Sequence, residues 1–476
     1  MIEFKDFSYK YTKSEELNIN NLNLKIKKGE TVLFTGPSGS GKTSILRLLN
    51  GLAPEFFEGG FKGELNVAHL KIGDRLTDFS EIVGSVFQNP KNQFFHLDST
   101  SELAFSMENK GYAPAIITKR IEDIADEFSA KHLLDRKILE LSGGEKQKLA
   151  FMSSMMLDAD IYILDEITSN LDLKSINFIT DVIRRLKENG KTIIIAEHRI
   201  YYLKDLIDRM FIIVNGRLIH EFNQDDIQEF DGSQCQTRQL DLSKIDIINK
   251  KEKTQDNDYL NLRDFTYKVN DKQIVINNTF SQGSIYSIVG ENGCGKTTFA
   301  NALSGFIKST GDVTLNGKKL KKKDLLRNSF VVMQDVNYQL FTNSVEREIK
   351  LGASNLDDFD ILVDKLNLRH LLDKHPNMLS GGEKQRVAIA SALMTGKKII
   401  ILDEPTSGLD YKNMNELAIL LKDIAKKDVI ILIITHDYEF LCSVADTVLH
   451  FNKNGINEII SVEKENKNKI LNIMTK

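Results

Sequence analysis

Six short apolar runs carry the pattern of this chain, three in each half: 31–34, 161–164 and 192–196, then 285–289, 399–402 and 429–434. Each is bounded by turn residues and is almost continuously Ile, Val and Leu. A half-exposed strand would alternate apolar with polar residues; continuous short runs fit strands buried on both faces of a largely parallel sheet. Stretches of helical period lie between them, such as 174–187 and 414–426. The pattern predicts an α/β fold, with helices flanking largely parallel core sheets.

The halves repeat one another. L-S-G-G-E-K-Q stands at Leu141 to Gln147 and again at Leu379 to Gln385, 238 residues on. From Ser142 to Glu166 and from Ser380 to Glu404 is 24 residues each, and from there to His198 and His436 is 32 each. The front halves differ: 46 against 38 residues from Lys42 and Lys296 to Gln88 and Gln334, then 54 against 46 to the serines. Such length differences are expected in surface loops, which absorb them cheaply. The organisation predicted is one domain over 1–225, a polar, mixed-charge linker over 226–258, a second domain over 259–460, and a tail over 461–476 that is a solvated helix or a frayed end.

Composition adds limits rather than direction. A chain of 476 residues would suggest about three domains by length alone; the repeat makes it two, each large enough for its own core. With 41% hydrophobic and 27% charged residues the chain reads as soluble and globular. A formal net charge of -4 argues against a nucleic-acid partner held by bulk electrostatics. The three cysteines, Cys235, Cys294 and Cys442, have no metal-binding spacing and suggest a reducing compartment. The N-terminus lacks a signal-peptide pattern, and no apolar run approaches the ~20 residues that span a bilayer. A role in membrane transport would therefore need membrane subunits from other chains.

The chemistry sits where strands end. Gly36, Pro37, Ser38, Gly39, Ser40, Gly41, Lys42 and Thr43 follow a run and lead through Ser44 into a helix; Gly290, Glu291, Asn292, Gly293, Cys294, Gly295, Lys296, Thr297 and Thr298 do the same. Glycines let backbone N–H groups and the helix start surround phosphate oxygens, while the lysine reaches the outer phosphates and the threonine hydroxyl can join a magnesium shell. Asp165-Glu166 and Asp403-Glu404 end apolar runs. Neighbours on a strand face different sides, so the first acid can hold magnesium while the second polarises an attacking water.

These motifs together resemble the ATP-binding cassette (ABC) ATPase family across both halves. The resemblance implies two tandem P-loop domains, each with a helical signature subdomain, binding ATP and Mg. It also implies that each signature closes over the other domain's nucleotide. One site would join Lys42, Asp165, Glu166 and His198 to Ser380, Gly381 and Gly382. The other would join Lys296, Asp403, Glu404 and His436 to Ser142, Gly143 and Gly144. Catalysis then falls to Glu166 and Glu404, with His198 and His436 sensing the γ-phosphate. Gln88 and Gln334 match the family's Q-loop glutamine, which touches magnesium or water, so the metal set is Thr43, Gln88 and Asp165 in one site and Thr297, Gln334 and Asp403 in the other. Tyr11 takes the place of the aromatic that stacks on adenine; Val269 stands there in the second half, with Tyr267 as a possible substitute.

Within the family, N-G-L-A-P-E-F-F-E-G-G, V-F-Q-N-P-K-N-Q-F-F and A-E-H-R resemble the ATPase component of energy-coupling factor importers. That resemblance implies a peripheral protein on the cytoplasmic face of the membrane. It would act through an integral membrane coupling subunit and a small substrate-capture membrane protein for a vitamin, vitamin precursor or transition metal ion, with no nucleic acid involved. A fused sugar-importer ATPase and a soluble translation-type ATPase are the alternatives.

Overall fold

The computed structural model describes residues 1–168, 171–247, 258–426 and 429–475. It divides into two units, Met1–Asp241 and Leu242–Lys476. The expected linker over 226–258 lies partly on 248–257, outside the described residues. Before that gap the chain carries a helix, Gln224–Glu229, which belongs to the first unit.

Each unit is built on a six-stranded sheet. In the first the order is Arg217–Asn223, Arg209–Val214, Thr31–Thr35, Thr192–Ala196, Ile161–Asp165, Val83–Val86, and only the first of these runs antiparallel to its neighbour. The second repeats the order with Gly455–Ser461, Thr447–Asn452, Ile285–Val289, Ile430–Ile434, Ile399–Asp403 and Ser329–Val332. All six predicted apolar runs are strands of these sheets. Their continuous hydrophobicity has a direct cause: successive residues enter different cores. Ile161 and Ile163 pack on one face with Phe34 and Ile45, while Tyr162 and Leu164 pack on the other with Leu149 and Ile183. In the second unit Ile399 and Ile401 likewise part from Ile400 and Leu402.

A four-stranded antiparallel sheet in each unit was not foreseen. Its order is Ile19–Ile26, Ile2–Tyr11, Gly59–Val67, Leu70–Lys71, and in the second unit Lys272–Ser281, Asp258–Val269, Ser309–Leu315, Lys318–Lys319. Register shifts interrupt the pairing within Ile2–Tyr11 and within Asp258–Val269. Such breaks spoil the strict alternation by which sequence reveals a strand.

The helical subdomain inserts between the strand Val83–Val86 and the strand Ile161–Asp165. It contains Ser99–Asn109, Pro114–Glu127 and Gly143–Met155, matched by Val345–Lys350, Phe359–Lys365 and Gly381–Met394. Here one expectation is corrected. The first eight-residue difference does lie among connections around the strand Gly59–Val67, but the second does not fall in a loop. It falls on two helices, 11 residues against 6 for the first and 14 against 7 for the middle one, partly offset by a longer connection between them in the second unit. Pro114–Glu127 buries Ile117, Ile121 and Ile124 along one face, so the extra turns are packed structure. The tail is also more than a frayed end: the helix Lys467–Thr475 buries Ile470 and Met474, and Lys467 Nζ donates to Ser243 O at 2.7 Å.

Candidate functional sites

Both glycine loops leave a central strand and turn into helices, Lys42–Leu49 and Lys296–Leu303. The loop glycines are needed for space as well as conformation. Gly36 has φ 140°, and a Cβ there would lie 2.1 Å from Ile213 O; at Gly290, with φ 150°, it would lie 2.2 Å from Phe451 O. The loop thus wraps its lysine: Lys42 Nζ donates to Gly36 O and Pro37 O, both at 2.9 Å, and Lys296 Nζ donates to Gly290 O at 2.6 Å and Glu291 O at 2.9 Å. Cys294 is buried in this loop, and burial pushes its thiol up, away from the reactive thiolate.

The carboxylates converge on the loops. Thr43 Oγ1 donates to Asp165 Oδ1 at 3.3 Å, and Thr297 Oγ1 to Asp403 Oδ2 at 2.8 Å. Burial, reinforced by the neighbouring Glu166, pushes Asp165 up to about 7; burial raises Asp403 as well. A hydroxyl beside a desolvated carboxylate supplies the oxygen donors a magnesium ion takes, and a cation would offset the desolvation. These residues therefore fit ATP with magnesium: Thr43 and Asp165, or Thr297 and Asp403, at the metal, and Lys42 or Lys296 at the phosphates.

Glu166 and Glu404 are the next residues after the strands, and both are left-handed, with φ 45° and 50°. That conformation costs a non-glycine residue roughly 1–2 kcal/mol. It is held by Glu166 N donating to Ala196 O at 2.8 Å and Glu404 N to Ile434 O at 2.9 Å. The kink aims the carboxylates at the histidines. His198 Nε2 stands 3.3 Å from Glu166 Oε1, and His436 Nε2 3.8 Å from Glu404 Oε1. Gln88 Nε2 closes the first site by donating to Glu166 Oε2 at 2.6 Å. Gln334 is exposed and makes no side-chain hydrogen bond among the described residues.

Ser142 and Ser380 start the signature helices as N-caps. Glu145 N donates to Ser142 Oγ at 3.3 Å and Ser142 N to Glu145 Oε2 at 2.7 Å, with the same reciprocal pair at Ser380 and Glu383. Gly143 and Gly381 have open space where a Cβ would stand. No hydrogen bond joins Ser142 or Ser380 to the phosphate loop of its own unit among the described residues.

Tyr11 is half-buried beside the first loop, donating from its hydroxyl to Ser44 Oγ at 3.2 Å, with its ring edge-on to Tyr9 and Phe57. Among the described residues the second unit has no counterpart. Val269 lies over Gly295, 2.8 Å from where a Cβ would be. Tyr267 is no substitute, because its ring is core, 2% exposed and packed among Phe265 and Phe299.

Two buried glutamate positions escaped sequence reasoning. Glu102 Oε2 accepts from Phe95 N at 2.8 Å and His96 N at 2.9 Å; Glu348 Oε2 accepts from Phe341 N at 2.9 Å and Thr342 N at 2.7 Å. Each pins the loop after the Q-loop so that a phenylalanine faces solvent: Phe95 and Phe341 are both 76% exposed. The other is Glu197, next to His198 and 1% exposed. Burial and the nearby Glu166 push its carboxyl up to about 8. The signal was present in A-E-H-R against I-T-H-D, but only as a mark of kinship.

Comparison with known proteins follows the same lines. The family profile described as ABC transporter matches residues 19–169 and 275–407. A Treponema denticola protein named as a putative ABC transporter ATP-binding protein is 40% identical, with 98% of each chain covered. A second from that organism, named alike, is 37% identical over 96% of each. Among solved structures, an archaeal ribosome recycling factor in complex with the ribosomal stalk protein superposes with a TM-score of 0.67 at 22% identity, covering 98% of this chain and 92% of that one. At that identity the likeness is one of fold.

Proposed function

Since this chain belongs to the ABC transporter family, whose ATPases bind ATP with magnesium and hydrolyse it, we propose that it powers import of a small molecule through separate membrane subunits. In this reading Glu166 and Glu404 are the general bases and His198 and His436 the γ-phosphate sensors. Lys42 and Lys296 hold phosphates; Thr43, Gln88 and Asp165, and Thr297, Gln334 and Asp403, hold magnesium. Each signature, Ser142–Gly144 or Ser380–Gly382, completes the nucleotide site of the other unit. ATP draws the two units together, and hydrolysis releases them, a ligand-driven shift between two states.

The observation that carries the transport reading is the pair of exposed phenylalanines, each pinned outward by a buried glutamate beside its Q-loop. A lone exposed apolar side chain is ordinary; what supports the reading is that this one recurs at the same place in both units, each time above a buried glutamate that fixes its loop. Its occurrence in both units fits a partner that grips both, as a membrane coupling subunit would. The names of the relatives and the intact motifs in both halves favour the same reading. The fold likeness to a ribosome recycling factor favours the translation-type alternative. Fractionating cells that express the tagged full chain separates the two: the importer reading expects the chain with membranes, bringing integral membrane proteins through detergent purification. Recovery on ribosomes with no membrane protein attached would overturn it.

A further inference from the structure

The two units anchor the loop behind the catalytic glutamate differently. In the second, Thr406, two residues after Glu404, donates from Oγ1 to Asp437 Oδ2 at 2.9 Å, and both are buried. Asp437 follows His436 directly. Its backbone N donates to Thr435 Oγ1 at 3.0 Å, and its Oδ1 accepts from Phe440 N at 3.1 Å. One carboxylate therefore ties the loop after Glu404 to the turn that carries the histidine.

In the first unit the residue after His198 is Arg199, which accepts nothing from a threonine hydroxyl. The equivalent threonine, Thr168, is fully buried all the same. The carboxylate appears on the other side of the histidine: Glu197 stands where the second unit has Thr435. Thr168 Oγ1, Glu197 Oε2 and Tyr202 Oη are each buried without a hydrogen bond of normal geometry. They nonetheless lie within electrostatic reach, since Thr168 acts on Glu197, and both act on Tyr202. Three polar groups in one buried spot are costly unless they pair with one another. Buried polar groups are almost always hydrogen-bonded, and here the candidates are one another. Tyr202 has Phe440 as its counterpart, so the second hydroxyl arrives together with the displaced acid. The charged and titratable groups that bear on Glu197 are Glu166, Arg199 and Tyr202, with His198 adjacent.

We propose that Glu197 is the positioning residue of the first unit, anchoring Thr168 behind Glu166 as Asp437 anchors Thr406, so that one device occurs on opposite sides of the two histidines. Glu197 touches no reacting atom in this scheme. It holds the turn on which His198 and the loop on which Glu166 are aligned, and it rests on the assignment of those two residues to the nucleotide site.

The test is a graft measured on the full chain by steady-state ATP hydrolysis, with thermal melting as the check on folding. Glu197→Thr should lower kcat by up to the whole share of the first site, about half if the two sites contribute equally, with KM for ATP little changed. Adding Arg199→Asp installs the second unit's arrangement and should recover more than half of the lost kcat. An undiminished kcat in the single variant would overturn the proposal, and so would a double variant that recovers nothing. If the single variant does not fold, the double variant decides alone: folded and active supports the anchor, unfolded or inactive refutes it. Glu166→Gln, run alongside, reports separately on the underlying site assignment.

Discussion

At the scale of single residues, backbone and side chain together point to Glu166 and Glu404. Both acids occupy a left-handed conformation that costs energy, and both do so at the same step after a buried strand. Left-handed residues recur at other equivalent positions, such as Asp6 and Asp264, so what points to function here is the strain together with the histidine that each carboxylate faces. If these are the bases, Glu166→Gln combined with Glu404→Gln should retain ATP binding while hydrolysis falls by about 10²–10⁴-fold. Nucleotide binding by fluorescence and phosphate release measure the two halves of that statement. The sequence pointed to these acids through their place beside Asp165 and Asp403. It did not point to Glu197, because a carboxylate before a histidine has no meaning until Thr168 and Tyr202 are seen to share its pocket.

At the scale of elements, a loop's conformation is set by groups that sequence patterns pass over. Glu348 is buried in a helix and satisfies two backbone N–H groups of the loop ahead of it. Glu348→Ala leaves both donors unpaired and should cost about 1–3 kcal/mol, each kcal/mol lowering Tm by about 2–4 °C in a domain of this size. Phe341→Ser, at an exposed ring, should leave Tm and the free chain's ATP hydrolysis nearly unchanged while weakening recovery of the proposed membrane partner. Melting curves and detergent co-purification check the pair. The unequal helices belong to this scale too. Spacing between motifs revealed that eight residues were missing, but placing them on packed helices required the structure, in which both the first and the middle helix of the second unit are shorter.

At the scale of the whole molecule, the proposal that each unit completes the other's site makes a crossed prediction. In a chain carrying Glu404→Gln, where the first site alone turns over, Ser380→Ala should cut hydrolysis about tenfold or more. In a chain carrying Glu166→Gln it should do little beyond the ~1 kcal/mol of a lost N-cap. The reverse pattern would mean that each unit works with its own signature. What the sequence determined by itself is the duplicated α/β architecture and the inventory of its loops. Strands buried on both faces must be continuously apolar, and phosphate-binding turns must be glycine-rich, so both leave local signatures. The tertiary structure alone decided the antiparallel sheets, whose register breaks erase alternation, and the burial of Tyr267 in place of a stacking role. It also decided that Thr168, Glu197 and Tyr202 are buried together. Those depend on which residues meet across distant parts of the chain, and burial is a property of that meeting rather than of any residue's neighbours in sequence.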